Sequence, residues 1–399
     1  MTITRRALTL LGLAGAALPA FSQKNAPGVT DTEIKIGQTF AYSGPAGAYS
    51  SIAKSDAAYF KMVNEKGGIN GRKLNLISLD DGYSPPKALE LTRRLVEEDN
   101  VAFIFGSLGT AINKATQKYL NQKKVPQILI SSPDPSFGDP QNFPWTMGWQ
   151  STTELEGVIF GKYILQTKPD AKIGLLYQND DFGKGYVKGI RAGLGAKADG
   201  LIVATASYET SDATIDSPIT SLRAAGADTF INIAIPKFCA QAIRLASESG
   251  WKPTQFLVSA SSSVGLTLKP AGLERAVGIV SAQFYKDPTD PQWANDASMV
   301  AWRNWAKQYY PEADLTDANI VLGYSRAATL VQVLAQCGND LSRENIMRQA
   351  ANLKNLELPL LLPGITASTS PSNFNPIRQM QMCRFDGTRW VLFGNVLTG

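Results

Sequence analysis

Val101-Ala-Phe-Ile-Phe105-Gly106-Ser107-Leu108-Gly109-Thr110 reads as a short apolar strand that breaks on glycine and small residues and restarts as a helix. A run of consecutive apolar residues, without polar alternation, suits a strand covered on both faces of a parallel sheet. The same unit recurs on either side. Strand-like runs at residues 34–40, 74–79 and 127–130 alternate with helical-period segments at 49–65, 86–98 and 111–122. A second set of runs follows at 172–177, 201–206, 229–235 and 256–259, again with helices between. Such alternation predicts parallel βαβ units with right-handed crossovers, and so an α/β chain of two doubly wound sheets in tandem.

Between the sets, residues 132–145 are too rich in Pro and Asp for a helix or a central strand, and are expected to carry the first crossing between lobes. A break at 286–291 precedes helices holding Trp293, Trp302 and Trp305, then helical patterns at 320–334 and 343–353. Residues 379–385 and 389–393 flank Asp386-Gly387, a hairpin signal. An antiparallel ribbon added to an α/β body fits no single Rossmann domain.

The 399 residues include 39 Lys+Arg, 34 Asp+Glu, three Cys and no His. Without imidazole there is no Ser-His-Asp or Cys-His relay, no His-ligated zinc or haem, and no histidine pH switch. The formal charge of +5 is spread along the chain, which argues against nucleic acid as a partner. Cys239, Cys337 and Cys383 lack the close spacing of a metal knuckle or redox pair, and Cys239 and Cys337 read as buried, inert thiols. No metal or cofactor is expected. Asp80-Asp81 and Asp180-Asp181 are paired acids at strand ends, yet adjacent residues project differently and such acids more often cap the next helix, so catalysis is not expected.

The start, MTITRRALTLLGLAGAALPAFSQ, places Arg5 and Arg6 before an apolar stretch and then Ala20-Phe21-Ser22, as in a secretory signal peptide removed after residue 22. No apolar run approaches the roughly 20 residues that span a bilayer. A soluble, exported protein is expected.

Three further segments carry a resemblance. They are Ile36-Gly37-Gln-Thr-Phe-Ala-Tyr-Ser43-Gly44-Pro45-Ala-Gly-Ala-Tyr49, Asn64-Glu-Lys-Gly67-Gly68-Ile69-Asn70-Gly71-Arg72, and Tyr177-Gln-Asn-Asp180-Asp181-Phe182-Gly183-Lys-Gly185. In order and spacing the chain resembles the leucine/isoleucine/valine-binding family of periplasmic solute receptors that serve ABC importers. The resemblance implies a type I periplasmic-binding fold: two doubly wound α/β lobes joined by three hinge crossings, closing on a ligand. Lobe one would comprise residues 33–144 plus 285–366, and lobe two 149–283 plus 373–398. It further implies a monomer in the periplasm, with a small-molecule ligand and a membrane permease as partners.

Ligands of open α/β sheets sit beyond the strand C-termini, where helix N-termini offer free N–H groups. By the resemblance the turn holding Ser107, Leu108, Gly109 and Thr110 receives a ligand carboxylate, although Ser107 and Thr110 also suit plain helix capping. Ser131, Ser132 and Asp134 stand at the next strand end, where Pro133 and Pro135 have no N–H to offer. Tyr49 and Phe182 match aromatic walls on opposing lobes, with Ala234, Ile235 and Ser261 on the lobe-two side. Amino-acid-binding relatives place an acidic residue after the strand at 256–259, but here Ser259-Ala260-Ser261-Ser262-Ser263-Val264 has no carboxylate. An ammonium buried without an anionic partner costs several kcal/mol. The expected ligand is therefore a small organic acid, aromatic or branched. Branched-chain amino acids, an amide or urea-like solute, and a ligand-sensing receptor domain are the alternatives.

Overall fold

In the computed structural model, which describes residues 25–398, the runs read as strands fall into two separate sheets. The first half contributes β1 (Glu33–Phe40), α1 (Ser50–Glu65), β2 (Lys73–Asp80), α2 (Pro85–Glu97), β3 (Phe103–Phe105), α3 (Thr110–Gln122), β4 (Gln127–Ile130) and β5 (Thr146–Gly148). Next come α4 (Thr153–Thr167), β6 (Ile173–Gln178), α5 (Asp181–Leu194), α6 (Ala198–Leu201), β7 (Ile202–Tyr208), α7 (Asp216–Ala224), β8 (Thr229–Ile233), α8 (Pro236–Glu248), β9 (Thr254–Leu257), α9 (Lys269–Ala271) and β10 (Val280–Gln283). The chain ends with α10 (Ala297–Tyr309), α11 (Asn319–Gln336), α12 (Arg343–Ala350), β11 (Gln379–Phe385) and β12 (Trp390–Thr398).

The first sheet has the order β2-β1-β3-β4-β5, all parallel. The second repeats it as β7-β6-β8-β9-β10 and then adds β11 and β12 antiparallel. In each sheet the order reverses beside the first strand, at β1/β3 and at β6/β8. These are topological switch points, where neighbouring loops part and leave a crevice. β3, β4, β8 and β10 are buried along their whole length, as strands covered on both faces must be.

The chain passes between the sheets three times: after β5, after β10 and before β11. Residues 132–145 do not make the first passage. They loop back so that β5 pairs with β4 in the first sheet, Gln127 opposite Thr146, and the crossing follows at 149–152. Three residues between Trp145 and Trp149 are too few to show a period, so only the free edge of β4 reveals this strand. β10, with Ser281 and Gln283 in a four-residue run, was equally silent, while the hairpin at Asp386-Gly387 formed and extended to Thr398.

Two crossings lie side by side, with the Trp149 and Phe284 rings 6.1 Å apart. Trp149 donates its indole N–H to Thr329 of α11 at 3.0 Å, and Tyr285 pairs with Leu361. The three cysteines are buried and unbonded to one another, and burial pushes the Cys239 and Cys337 thiols up to about 12. Among the described residues no helix is long and apolar enough to cross a membrane. The leader assigned to residues 1–22 lies outside the described residues.

Candidate functional site

The two switch points face each other across a cleft with an empty volume of about 440 Å³. On the β1/β3 side the chain leaves β3 through Gly106 and Gly109, both with positive φ. A Cβ on Gly109 would stand 2.6 Å from the Tyr83 ring, and one on Gly106 would stand 2.7 Å from the Arg326 guanidinium carbon. Only glycine meets both the left-handed backbone and the close approach. α3 then begins at Thr110 without a side-chain cap, so its first-turn N–H groups, which have no intrahelical partners, open on the cleft. Thr110 Oγ1 and Ser132 Oγ share a 2.7 Å hydrogen bond beside them. Leu108 bridges to Ser131, whose carbonyl accepts from Gly109 N–H at 3.1 Å.

On the β6/β8 side, Asp180 caps α5 by accepting from Gly183 N–H at 3.2 Å, which sets Phe182 in the first turn facing the cleft. The Phe182 ring meets Tyr186 edge-on at 5.3 Å. Ile235 N–H donates to the Tyr208 hydroxyl at 3.0 Å, fixing the turn from which the Ile235 side chain reaches the cleft. Below the next turn, Glu156 is buried and accepts from Ser259 N–H, from Ser259 Oγ and from the Tyr186 hydroxyl, at 2.6, 2.6 and 2.8 Å. Burial pushes its carboxyl up to about 7, against the lowering effect of these donors.

The lobes touch at several points. Tyr49, leading into α1, donates its hydroxyl to the Ala260 carbonyl at 2.9 Å and lies 3.3 Å from Ser261 Oγ. Asp317, just before α11, accepts from Ser51 at 2.5 Å and from Ser263 of the opposite lobe at 3.0 Å, and Gly265 N–H donates to the Thr316 carbonyl at 3.0 Å. At the rim, Lys114 of α3 reaches Asp134 at 3.2 Å and Asp181 of α5 at 2.7 Å.

Of the residues expected at the site, Tyr49, Leu108, Gly109, Thr110, Ser131, Ser132, Phe182 and Ile235 line the cleft. Four do not. Ser107 Oγ is turned back to accept from Thr39 N–H and Thr39 Oγ1, each at 3.3 Å. Asp134 caps a turn, accepting from Ser136 N–H at 2.9 Å, and pairs with Lys114. Ala234 is covered, its carbonyl accepting from Ser261 Oγ at 2.6 Å, which also turns Ser261 inward. Sequence reasoning missed Ile52, Tyr83, Gln150, Ala260, Asn319 and Leu322, all of which line the cleft. Asp80, weighed as a catalytic acid and read as a structural one, accepts from Tyr42, Ser43 and Gly82 N–H and pins the loop after β1.

The lining thus offers hydroxyls, two amides, an uncapped helix N-terminus and apolar walls, and none of its described residues is charged. Asp317 and Glu156 are engaged with the donors named above, buried Asp81 accepts from Tyr83 N–H at 2.8 Å, and none of the three lines the cleft. A larger hollow, of about 990 Å³ and lined by Thr152, Asn355, Arg378 and Gln379 among others, sits at the crossings and touches neither switch point. The turns after β3, β4 and β8 and the first turns of α3 and α5 open on the smaller space.

A family profile described as periplasmic binding protein matches residues 33–389. The chain is 23% identical over 337 residues to Leu/Ile/Val-binding protein homolog 1 of Brucella abortus, covering 84% of this chain and 85% of that one. Its fold is similar to that of a branched chain amino acid ABC transporter protein from Thermus thermophilus with bound valine, at TM-score 0.82 and 17% identity over 93% and 98% of the chains. It is similar as well to a solute binding protein of R. palustris in complex with benzoate, at TM-score 0.77 and 17% identity over 92% and 98%.

Proposed function

Because the chain belongs to the periplasmic binding protein family, we propose that its cleft captures a small carboxylate-bearing solute, an aromatic or branched organic acid, and delivers it to the permease of an ABC importer. The protein works as an exported monomer: a leader at residues 1–22 directs it to the periplasm. The two lobes, expected at residues 33–144 plus 285–366 and at 149–283 plus 373–398, with β5 at 146–148 now joined to the first, close about the three crossings. No chemical step is needed, since members of this family are solute receptors.

The observation that carries the reading is the absence of charge in the lining. A carboxylate finds the α3 N-terminus, with Thr110, Ser131 and Ser132 beside it, and fixed dipoles at a helix start stabilise an anion without a cation. An α-ammonium finds no anionic partner. Its desolvation costs several kcal/mol, and each 1.4 kcal/mol is tenfold in affinity. Tyr49, Phe182, Ile235 and Leu322 supply apolar area for a ring or a branched chain.

Isothermal titration with benzoate, branched aliphatic acids, leucine and valine tests this. An acid is expected to bind in the micromolar range and leucine to fail. Tight leucine binding, the property in the names of the relatives, overturns it.

A further inference from the structure

Asn319 opens α11 with its side chain on the cleft wall and is only 4% exposed. Its backbone N–H is used, donating to Asp317 Oδ1 at 2.9 Å. Its side-chain Nδ2 turns to the Asp317 carboxylate, short of good hydrogen-bond geometry, and the carbamoyl oxygen has no protein partner. The amide is near enough to Asp317 to favour that carboxyl's charged form, though burial, the larger effect, still raises its pKa. With Nδ2 turned to Asp317, the carbamoyl oxygen is the atom left for a ligand donor to meet.

Asn319 also reaches the cleft from a different direction than the carboxylate site. α11 packs along α1, whereas α3 packs along α2. The two pairs cover opposite faces of the first sheet, so a ligand seated at Thr110 presents a separate end to Asn319. The Asp317 carboxyl behind Asn319 disfavours a second anionic group there. A neutral donor such as a hydroxyl suits the carbamoyl oxygen.

We propose that Asn319 is a specificity-determining residue that reads a hydroxyl on the ligand, so that the preferred solutes are hydroxylated small organic acids rather than their unsubstituted parents. This rests on the carboxylate reading above and sharpens it.

The test compares benzoate with 2-, 3- and 4-hydroxybenzoate by titration calorimetry, on the wild-type chain and on Asn319→Leu. At least one isomer is expected to bind roughly tenfold tighter than benzoate, the size expected when a buried polar group gains its partner. Asn319→Leu is expected to erase that gap, so that benzoate and the favoured isomer bind with similar affinity. If Asn319→Leu fails to fold, Asn319→Ser serves, and the wild-type comparison decides alone. Benzoate binding with no gain from any hydroxyl overturns this inference only, as does an equal loss for both ligands in the variant. Failure of every acid, or leucine binding tighter than all of them, overturns the carboxylate reading with it.

Discussion

Tyr49 and Ala260 meet across the cleft, hydroxyl to carbonyl at 2.9 Å, and join the start of α1 to the turn after β9. The tyrosine ring is a wall of the cleft while its hydroxyl is a clasp between lobes. Ala260 is held in turn because Glu156 grips the preceding Ser259 through both N–H and hydroxyl. The contact across the cleft and the buried carboxyl of lobe two are thereby mechanically linked.

Tyr49→Phe separates the two roles. The ring stays and the clasp goes, so the closed state loses one hydrogen bond worth about 0.5–1.5 kcal/mol. Ligand affinity is expected to fall about three- to tenfold, chiefly through faster release. Stopped-flow dissociation measures it, and an unchanged release rate contradicts the clasp.

Lys114 gives a second, weaker link. It bridges Asp134 on its own lobe and Asp181 on the other, with Lys114 and Asp181 partly in solvent at 32% and 53% side-chain exposure. Exposed pairs contribute little and are screened by salt. Asp181→Asn is expected to weaken ligand binding less than about fivefold at low salt, and to leave it unchanged near 1 M salt, where the Debye length is about 3 Å. Titrations at two salt concentrations check this.

What could be read from sequence follows a physical division. The strands β3, β4 and β6 were legible because burial on both faces leaves a nearly continuous apolar run, and β1 because Ile34 and Ile36 alternate with polar residues. The turn at Gly106-Gly109 was legible because a backbone that must bend with positive φ under a neighbouring side chain leaves glycine as its trace. Asn319 and Leu322 were not, since on α11 they continue an ordinary helical period and reach the cleft only by the packing of α11 on α1. Tyr83 was hidden by conformation: Gly82 and Tyr83 both take positive φ, which carries the ring back over Gly109. Ser107 shows the converse, a small polar residue at a strand end whose hydroxyl is bound by Thr39, a choice of rotamer that composition does not encode.

Glu156 predicts a pH dependence of stability. Its carboxyl titrates near 7 in the folded protein against an ordinary 4.5. The folded state therefore holds the proton more tightly, and the stability this confers is fully present below about 4.5 and lost as pH rises through about 7. The full effect is on the order of 3 kcal/mol for a buried group. Glu156→Gln keeps an acceptor for Ser259 N–H and a donor for Tyr186, without the charge. Urea unfolding is expected to place the variant close to wild type at pH 5 and above it at pH 8. Parallel pH profiles for the two proteins count against the assignment.

Arg326 and Asp56 form a fully buried ion pair between α11 and α1. Arg326 also donates to the Gly106 carbonyl at 2.9 Å, and its guanidinium lies 5.1 Å from the Phe105 ring centre. The pair thus holds the strand end from which the α3 turn departs. Burial raises the Asp56 carboxyl to about 6 despite the arginine, which shows that desolvation outweighs the attraction and that an unpaired Asp56 would be worse placed still. Arg326→Met strands that carboxyl in an apolar core, and a cost of about 3–5 kcal/mol is expected. Asp56→Leu with Arg326→Met removes both charges, and is expected to recover most of the loss because a well-filled apolar core replaces a buried pair at little cost. Recovery of stability without recovery of ligand affinity would locate the contribution of Arg326 in the Gly106 turn; recovery of both would limit it to the core. Denaturant unfolding and titration of all three variants with one ligand separate these outcomes.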